Sequence, residues 1–154
     1  MENQTIQKQT KNCPGIYYEK GADTLFIKGR SIPENPESIF KPLRDWVATF
    51  FASSEALKMS IILEYINSGS SKHLIEMLKT LKQYQEEGKH LDITWYYEED
   101  DEAILELGEH FRDTSGLAIN IEMLLDQEEG KGHRAWGRGL VYQREVFNAL
   151  PGST

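Results

Sequence analysis

The stretch LEYINSGSSKHL, Leu63 to Leu74, joins an apolar run to an amphipathic one through a serine-rich knot. Upstream, MSIILEYI (Met59–Ile66) is short and β-branched, as a strand should be. Downstream, Leu74, Leu78 and Leu81 recur at helical spacing with Ile75 alongside. That pattern predicts an amphipathic helix ending near Gly88, a residue suited to a left-handed cap. A strand handing over directly to a helix is the repeating unit of a parallel sheet. Asn67, Ser68, Ser70 and Ser71 fill the handover. One hydroxyl, from Ser70 or Ser71, is expected to cap the helix. Ser68 is then spare, at the carboxyl edge of the strand and facing the positive end of the helix. A phosphate there would add about −1.5 to −2 charges beside free helix N–H groups.

The same unit recurs on both sides. GIYYE and TLFIKG are short β-type runs separated by KGAD, whose Gly and Asp favour a hairpin turn. GRSIPENPES then reads as a loop, with Asn35 placed to cap a helix and Pro36 in its first turn. Ile39, Phe40, Leu43, Trp46, Val47 and Phe50 form the stripe of that helix. After Gly88, LDITWYY alternates, with Leu91, Ile93, Trp95 and Tyr97 on one face and Asp92, Thr94 and Tyr96 on the other. EEDDEAILELGEHF opens a third helix with carboxylates that suit its dipole, and Ile104, Leu107 and Phe111 form its buried side. AINIEML is the last strand. The expected order is β-β-α-β-α-β-α-β: an α/β single domain with a mixed, mostly parallel sheet. Glu64, Asp92, Thr94, Asn120 and Glu122 interrupt the strands, so three helices should crowd one face and leave the other partly wet.

Composition narrows the function classes. The 154 residues are 39% hydrophobic and 27% charged, near globular averages, so one domain with a real core is expected. A net charge of −8 argues against nucleic acid or membrane as the main partner. The N-terminus MENQTIQKQTKN is too polar for a signal peptide and reads as a polar lead-in. With Cys13 as the only cysteine, no internal disulfide forms, and a cytoplasmic location is expected. The domain is expected to span residues 10–126. Residues 127–154, with QEEGKGHRAWGRG, carry a net charge of +1 and read as a C-terminal extension.

Other motifs are better explained without chemistry. GKGHRA from Gly130 fits a loose dinucleotide pattern but lies past the last strand, with too little chain left for a βαβ unit. The run Glu98–Glu102 lacks the interleaved spacing of a calcium loop. His73, His90, His110 and His133 show no zinc spacing. Ser68 and Ser70 sit where a nucleophile elbow would, yet G-x-S-x-G is absent and no acid and histidine complete a triad. No metal site and no cofactor are expected.

Three stretches carry a family likeness: GRSIPEN (Gly29–Asn35), LEYINSGSSK (Leu63–Lys72) and WYYEEDDE (Trp95–Glu102), with GEHF following. In order, from about Thr10 to Leu124, the chain resembles the SiaC family of bacterial regulatory phosphoproteins. That family is similar to the anti-sigma-factor antagonists of the STAS fold. The resemblance implies a partner switch without enzymatic activity. The unmodified protein would bind and activate a diguanylate cyclase, raising cyclic di-GMP and promoting biofilm formation. A Ser/Thr protein kinase would phosphorylate the turn hydroxyl and block binding, and a metal-dependent protein phosphatase would reverse it. The matching hydroxyl is Ser68. The family usually has threonine there followed by serine, whereas this chain has Ser68 and Gly69.

Loops on a rigid scaffold tend to carry recognition, and parallel strands gather their following loops on one rim. The partner surface is therefore expected to combine Arg30, Ser31, Glu34, Asn35, Asn67, Ser68, Lys72 and the Glu99, Asp100, Asp101 turn. Two other readings stand beside this one: a small enzyme using the serine turn or the acidic cluster, and an adaptor that is never phosphorylated.

Overall fold

A computed structural model describes residues 2–125 of the chain. The proposed extension from residue 127, with GKGHRA and His133, lies outside these residues. Six strands and three helices follow in the order β1 (Gln4–Gln7), β2 (Gly15–Glu19), β3 (Thr24–Ser31), α1 (Glu37–Ser53), β4 (Ala56–Ile66), α2 (Ser68–Glu86), β5 (His90–Glu98), α3 (Glu102–Ser115) and β6 (Ile119–Leu124). The strands lie side by side in chain order. β1, β2 and β3 form an antiparallel meander, and β3 through β6 are parallel. Each parallel crossover steps to the next strand in the same direction. Right-handed crossovers therefore place all three helices on one face. α1 packs on α2, and α2 on α3.

The alternation in the strands sorts the two faces. Ile16, Leu25, Ile27, Met59, Ile61, Leu63, Ile93 and Trp95 point into the core, against Leu43, Val47, Leu74, Leu78, Leu81 and Phe111 of the helices. Among the described residues no helix covers the other face. Register places Tyr17, Phe26, Lys28, Ser60, Ile62, Thr94, Tyr96 and Glu122 there. Trp95 anchors α3. Its indole N–H donates to the Ile104 carbonyl at 2.9 Å, and its ring meets Phe111 edge-on at 5.2 Å. Gly108 makes this approach possible, because a Cβ there would overlap the indole.

The strand order differs from the expected one by a single addition. Gln4–Gln7, read as a polar lead-in, forms the edge strand β1 on β2, with Trp46 of α1 donating to the Gln4 side chain. Only Ile6 of this strand is apolar, so its pairing rests on backbone hydrogen bonds rather than on a pattern. The start of α1 also differs. Pro36 occupies the N-cap position without a side-chain bond. The Asn35 carbonyl, not its amide, receives the Ser38 N–H at 3.0 Å and hydroxyl at 2.7 Å. As anticipated, α2 ends at Glu86 and the chain turns through Gly88 at φ 106°.

Candidate functional site

The carboxyl edge of the parallel strands is shaped first by an irregularity. Between β3 and β4 the register runs Gly29 with Leu63, then Arg30 with Tyr65, so Glu64 is an extra residue in β4. Gly29 takes φ 112°, a conformation open to glycine. The bulge turns both Glu64 and Tyr65 to solvent. Arg30 lays its guanidinium over the Tyr65 ring, 5.7 Å from the centroid. Core direction returns at Ile66.

Asn67 then closes the strand and opens the helix. Its backbone is extended, and its side-chain oxygen accepts the Ser70 N–H at 2.9 Å. The cap is therefore Asn67, not Ser70 or Ser71 as the serine pattern suggested. Asparagine fits because its oxygen reaches the third helical N–H without distorting the turn. The Asn67 N–H donates to the Ser31 carbonyl at 3.0 Å, and the Ser31 hydroxyl donates to that of Ser70 at 3.0 Å. Ser31 is 1% exposed and Ser70 is fully buried. This pair staples the end of β3 to the first turn of α2. Ser31 consequently does not belong to the surface on which it was expected, because its hydroxyl is consumed inside.

Ser68 stands at the first helical position, exposed, and its hydroxyl has no protein partner among the described residues. Pro36 of the β3–α1 loop flanks Gly69, with room for a Cβ at 3.5 Å. Lys72, one helical turn along, is exposed on the same side of α2. His73 makes an Nδ1 contact with the Gly69 carbonyl at 3.1 Å and stacks on Phe40. Its Nε2 lies 3.6 Å from Glu37, which in turn binds Arg44 at 2.7 Å. Hydrogen bonding to Arg44 holds the exposed Glu37 carboxyl below its ordinary range.

The turn after β5 leaves from the same edge, since Ile61 and Trp95 are paired in the parallel register. Asp101 caps α3 by accepting the Ile104 N–H at 3.1 Å. Its carboxylate is therefore engaged locally, whereas Glu99 and Asp100 are exposed at the turn. Of the expected surface, Glu34, Asn35, Ser68, Lys72, Glu99 and Asp100 are exposed, and Arg30 is half-buried against Tyr65. Tyr65, half exposed, was not expected, because only the bulge turns it outward. Hollows of about 390 and 200 Å³ open beside β1, lined by residues such as Ile6, Trp46 and Tyr17, none of which belongs to this edge. Among the described residues, no three His, Cys, Asp or Glu side chains are grouped as metal ligands.

The fold is thus a mixed sheet with three helices on one face, and the Ser68 hydroxyl stands exposed at one of its strand-to-helix turns. The model of the SiaC family of regulatory phosphoproteins matches residues 7–124, and the chain belongs to that family. An uncharacterized protein of Pseudomonas aeruginosa (strain UCBPP-PA14) is 30% identical over 114 residues, covering 73% of this chain and 90% of its own length. Apo-SiaC from Pseudomonas aeruginosa superposes with a TM-score of 0.69 at 28% identity, covering 79% of this chain and 99% of its own. The structure of the diguanylate cyclase SiaD in complex with its activator SiaC, from the same organism, matches with a TM-score of 0.71 at 28% identity, over 78% of this chain and 98% of the other.

Proposed function

We propose that this chain, unphosphorylated, binds and activates a diguanylate cyclase, and that phosphorylation of Ser68 switches the interaction off. The observation that carries this reading is the placement of Ser68. Its hydroxyl is exposed and unpartnered at the start of α2, while Asn67 and Ser70 beside it are fully committed to structure. A Ser/Thr kinase can therefore reach it without unfolding the turn. The phosphate would project from the rim formed by Arg30, Glu34, Asn35, Asn67, Lys72 and the Glu99–Asp101 turn. A dianion desolvated at an interface without a partner costs about 2–5 kcal/mol, roughly 30-fold to several thousandfold in affinity. A metal-dependent phosphatase would restore binding.

The protein acts here by contact and not as an enzyme. The hollows beside β1 contain no residue of the Ser68 turn. No helix among the described residues is long and apolar enough to cross a membrane. The switch is proposed to work in the cytoplasm, in a domain spanning residues 10–126. The test is titration of the purified cyclase with unmodified and Ser68-phosphorylated protein, with cyclic di-GMP synthesis as readout. The unmodified form should bind and activate, and the phosphorylated form should do neither. Ser68→Ala should bind like wild type, and Ser68→Asp should bind more weakly, though less so than phosphate because it carries less charge. Equal affinity of modified and unmodified protein would refute the switch.

A further inference from the structure

Lys28 is the least expected residue of the helix-free face. It lies in β3 between Gly15 of β2 and Ile62 of β4 and is 5% exposed. Lysine is almost never this buried unless its ammonium is paired. Among the described residues it makes no hydrogen bond and has no carboxylate within ion-pair distance. The charged and titratable groups that register sets on the same face of these strands are Tyr17 and Glu19 of β2, Lys58 of β4 and Arg30 of its own strand, with Glu64 exposed at the bulge. Glu19 acts on it only at longer range, and burial lowers its proton affinity.

The surroundings point to a contact surface. Tyr17 and Phe26 stack at 5.2 Å, and both are only half-buried. Two residues along β3, Arg30 rests on the exposed Tyr65 at the rim. Rings and two cations therefore follow one another from the Ser68 edge along this face, with the Gln9 side chain of the β1–β2 connection packed against Gly15 and Gly29 on either side of Lys28. We propose that the cyclase contact continues from the rim across these residues, and that a carboxylate of the cyclase, carried on an otherwise apolar segment, pairs with Lys28. Charge complementarity selects the occupant. A buried ammonium without a charged partner is satisfied by an anion arriving with its own apolar flanks, which also exclude water from the pair. This inference rests on the cyclase-binding reading and extends it to a second face.

The test uses the full-length chain and the purified cyclase of the same organism. Wild type and Lys28→Met are titrated calorimetrically at about pH 8.5, in buffers of different ionisation enthalpy, so that proton uptake is read together with affinity. Methionine keeps the apolar stem and removes the charge. Lys28→Met should bind roughly 30-fold more weakly while remaining folded and at least as stable as wild type. Wild type should take up a proton on binding, because an arriving carboxylate favours the charged amine, and Lys28→Met should not. If wild type binds and Lys28→Met matches it, or if their proton uptake is the same, this inference is wrong and the rim reading survives. If wild type does not bind the cyclase, both readings fall. Self-association of wild type that Lys28→Met abolishes would overturn the proposed occupant in favour of a second copy.

Discussion

Replacing Lys28 by methionine should stabilise the isolated protein, and the size of the gain follows from the burial of its amine. Desolvation lowers its pKa from about 10.5 to about 8, with Glu19 opposing the shift in part. At about 1.4 kcal/mol per tenfold change in proton affinity, keeping the ammonium charged costs the folded state roughly 3 kcal/mol. Below pH 8 the amine is protonated in both folded and unfolded chains, so the full cost is present. Between about pH 8 and 10.5 the folded amine releases its proton while the unfolded chain keeps it, and stability rises with pH. The tyrosines act in the opposite sense. Burial, followed by the hydrogen bond and charge of Asp23, raises the Tyr18 pKa to about 12, and burial pushes Tyr17 higher still. The unfolded chain therefore loses phenolic protons first, and stability falls above about pH 10. The clean window is from about pH 7.5 to 9.5. Urea unfolding followed by tryptophan fluorescence should show Lys28→Met more stable than wild type by about 2–3 kcal/mol at pH 7, with a melting temperature higher by roughly 6–10 °C. The difference should shrink steadily toward pH 9.5. A methionine variant that is less stable, or a difference that does not change with pH, would show that the amine is already satisfied in the fold.

Three further outcomes test the site and its scaffold. Asn67→Ala removes the cap of α2 and should cost about 1 kcal/mol by chemical denaturation; an unchanged midpoint would mean that the Asn67 cap does not stabilise the fold. Gly108→Ala should cost about 1–3 kcal/mol, because the new methyl must displace the Trp95 indole, and near-ultraviolet circular dichroism should report the disturbed ring. Charge reversal at Arg30 or at Asp100 should weaken cyclase binding in a titration without lowering the melting temperature. Asp101 is a poorer probe, since reversing it also strips the cap from α3.

Fold class was legible in the sequence because each element carries its own period. Leu91, Ile93 and Trp95 alternate, Leu74, Leu78 and Leu81 recur every turn, and Gly88 punctuates between them. A strand–helix rhythm with right-handed crossovers leaves few topologies, and a shared rim for the loops after β3, β4 and β5 follows from parallel pairing. The position of Ser68 at the start of α2 was legible for the same reason, at the one serine-rich handover from strand to helix.

Tertiary structure alone decided what each polar residue does there. Ser31 and Ser70 are 39 positions apart, and only the packing of β3 beside β4 brings their hydroxyls together and removes Ser31 from the surface. Asn67 is the cap because it is the extended residue just before α2, whereas Ser70 and Ser71 lie inside the first turn, where Ser70 turns its hydroxyl to that pair. The bulge that exposes Tyr65 is a register slip between two strands, which neither strand displays by itself. β1 has no apolar period, and its place at the sheet edge comes from hydrogen bonds with β2 and from α1. Lys28 in TLFIKG could have faced water on a wet strand. Its burial beside Tyr17, Phe26 and Ile62, with Gln9 packed against Gly15 and Gly29, is a property of aligned strands and the connection before β2, since a side chain's environment depends on neighbours that the linear sequence does not order.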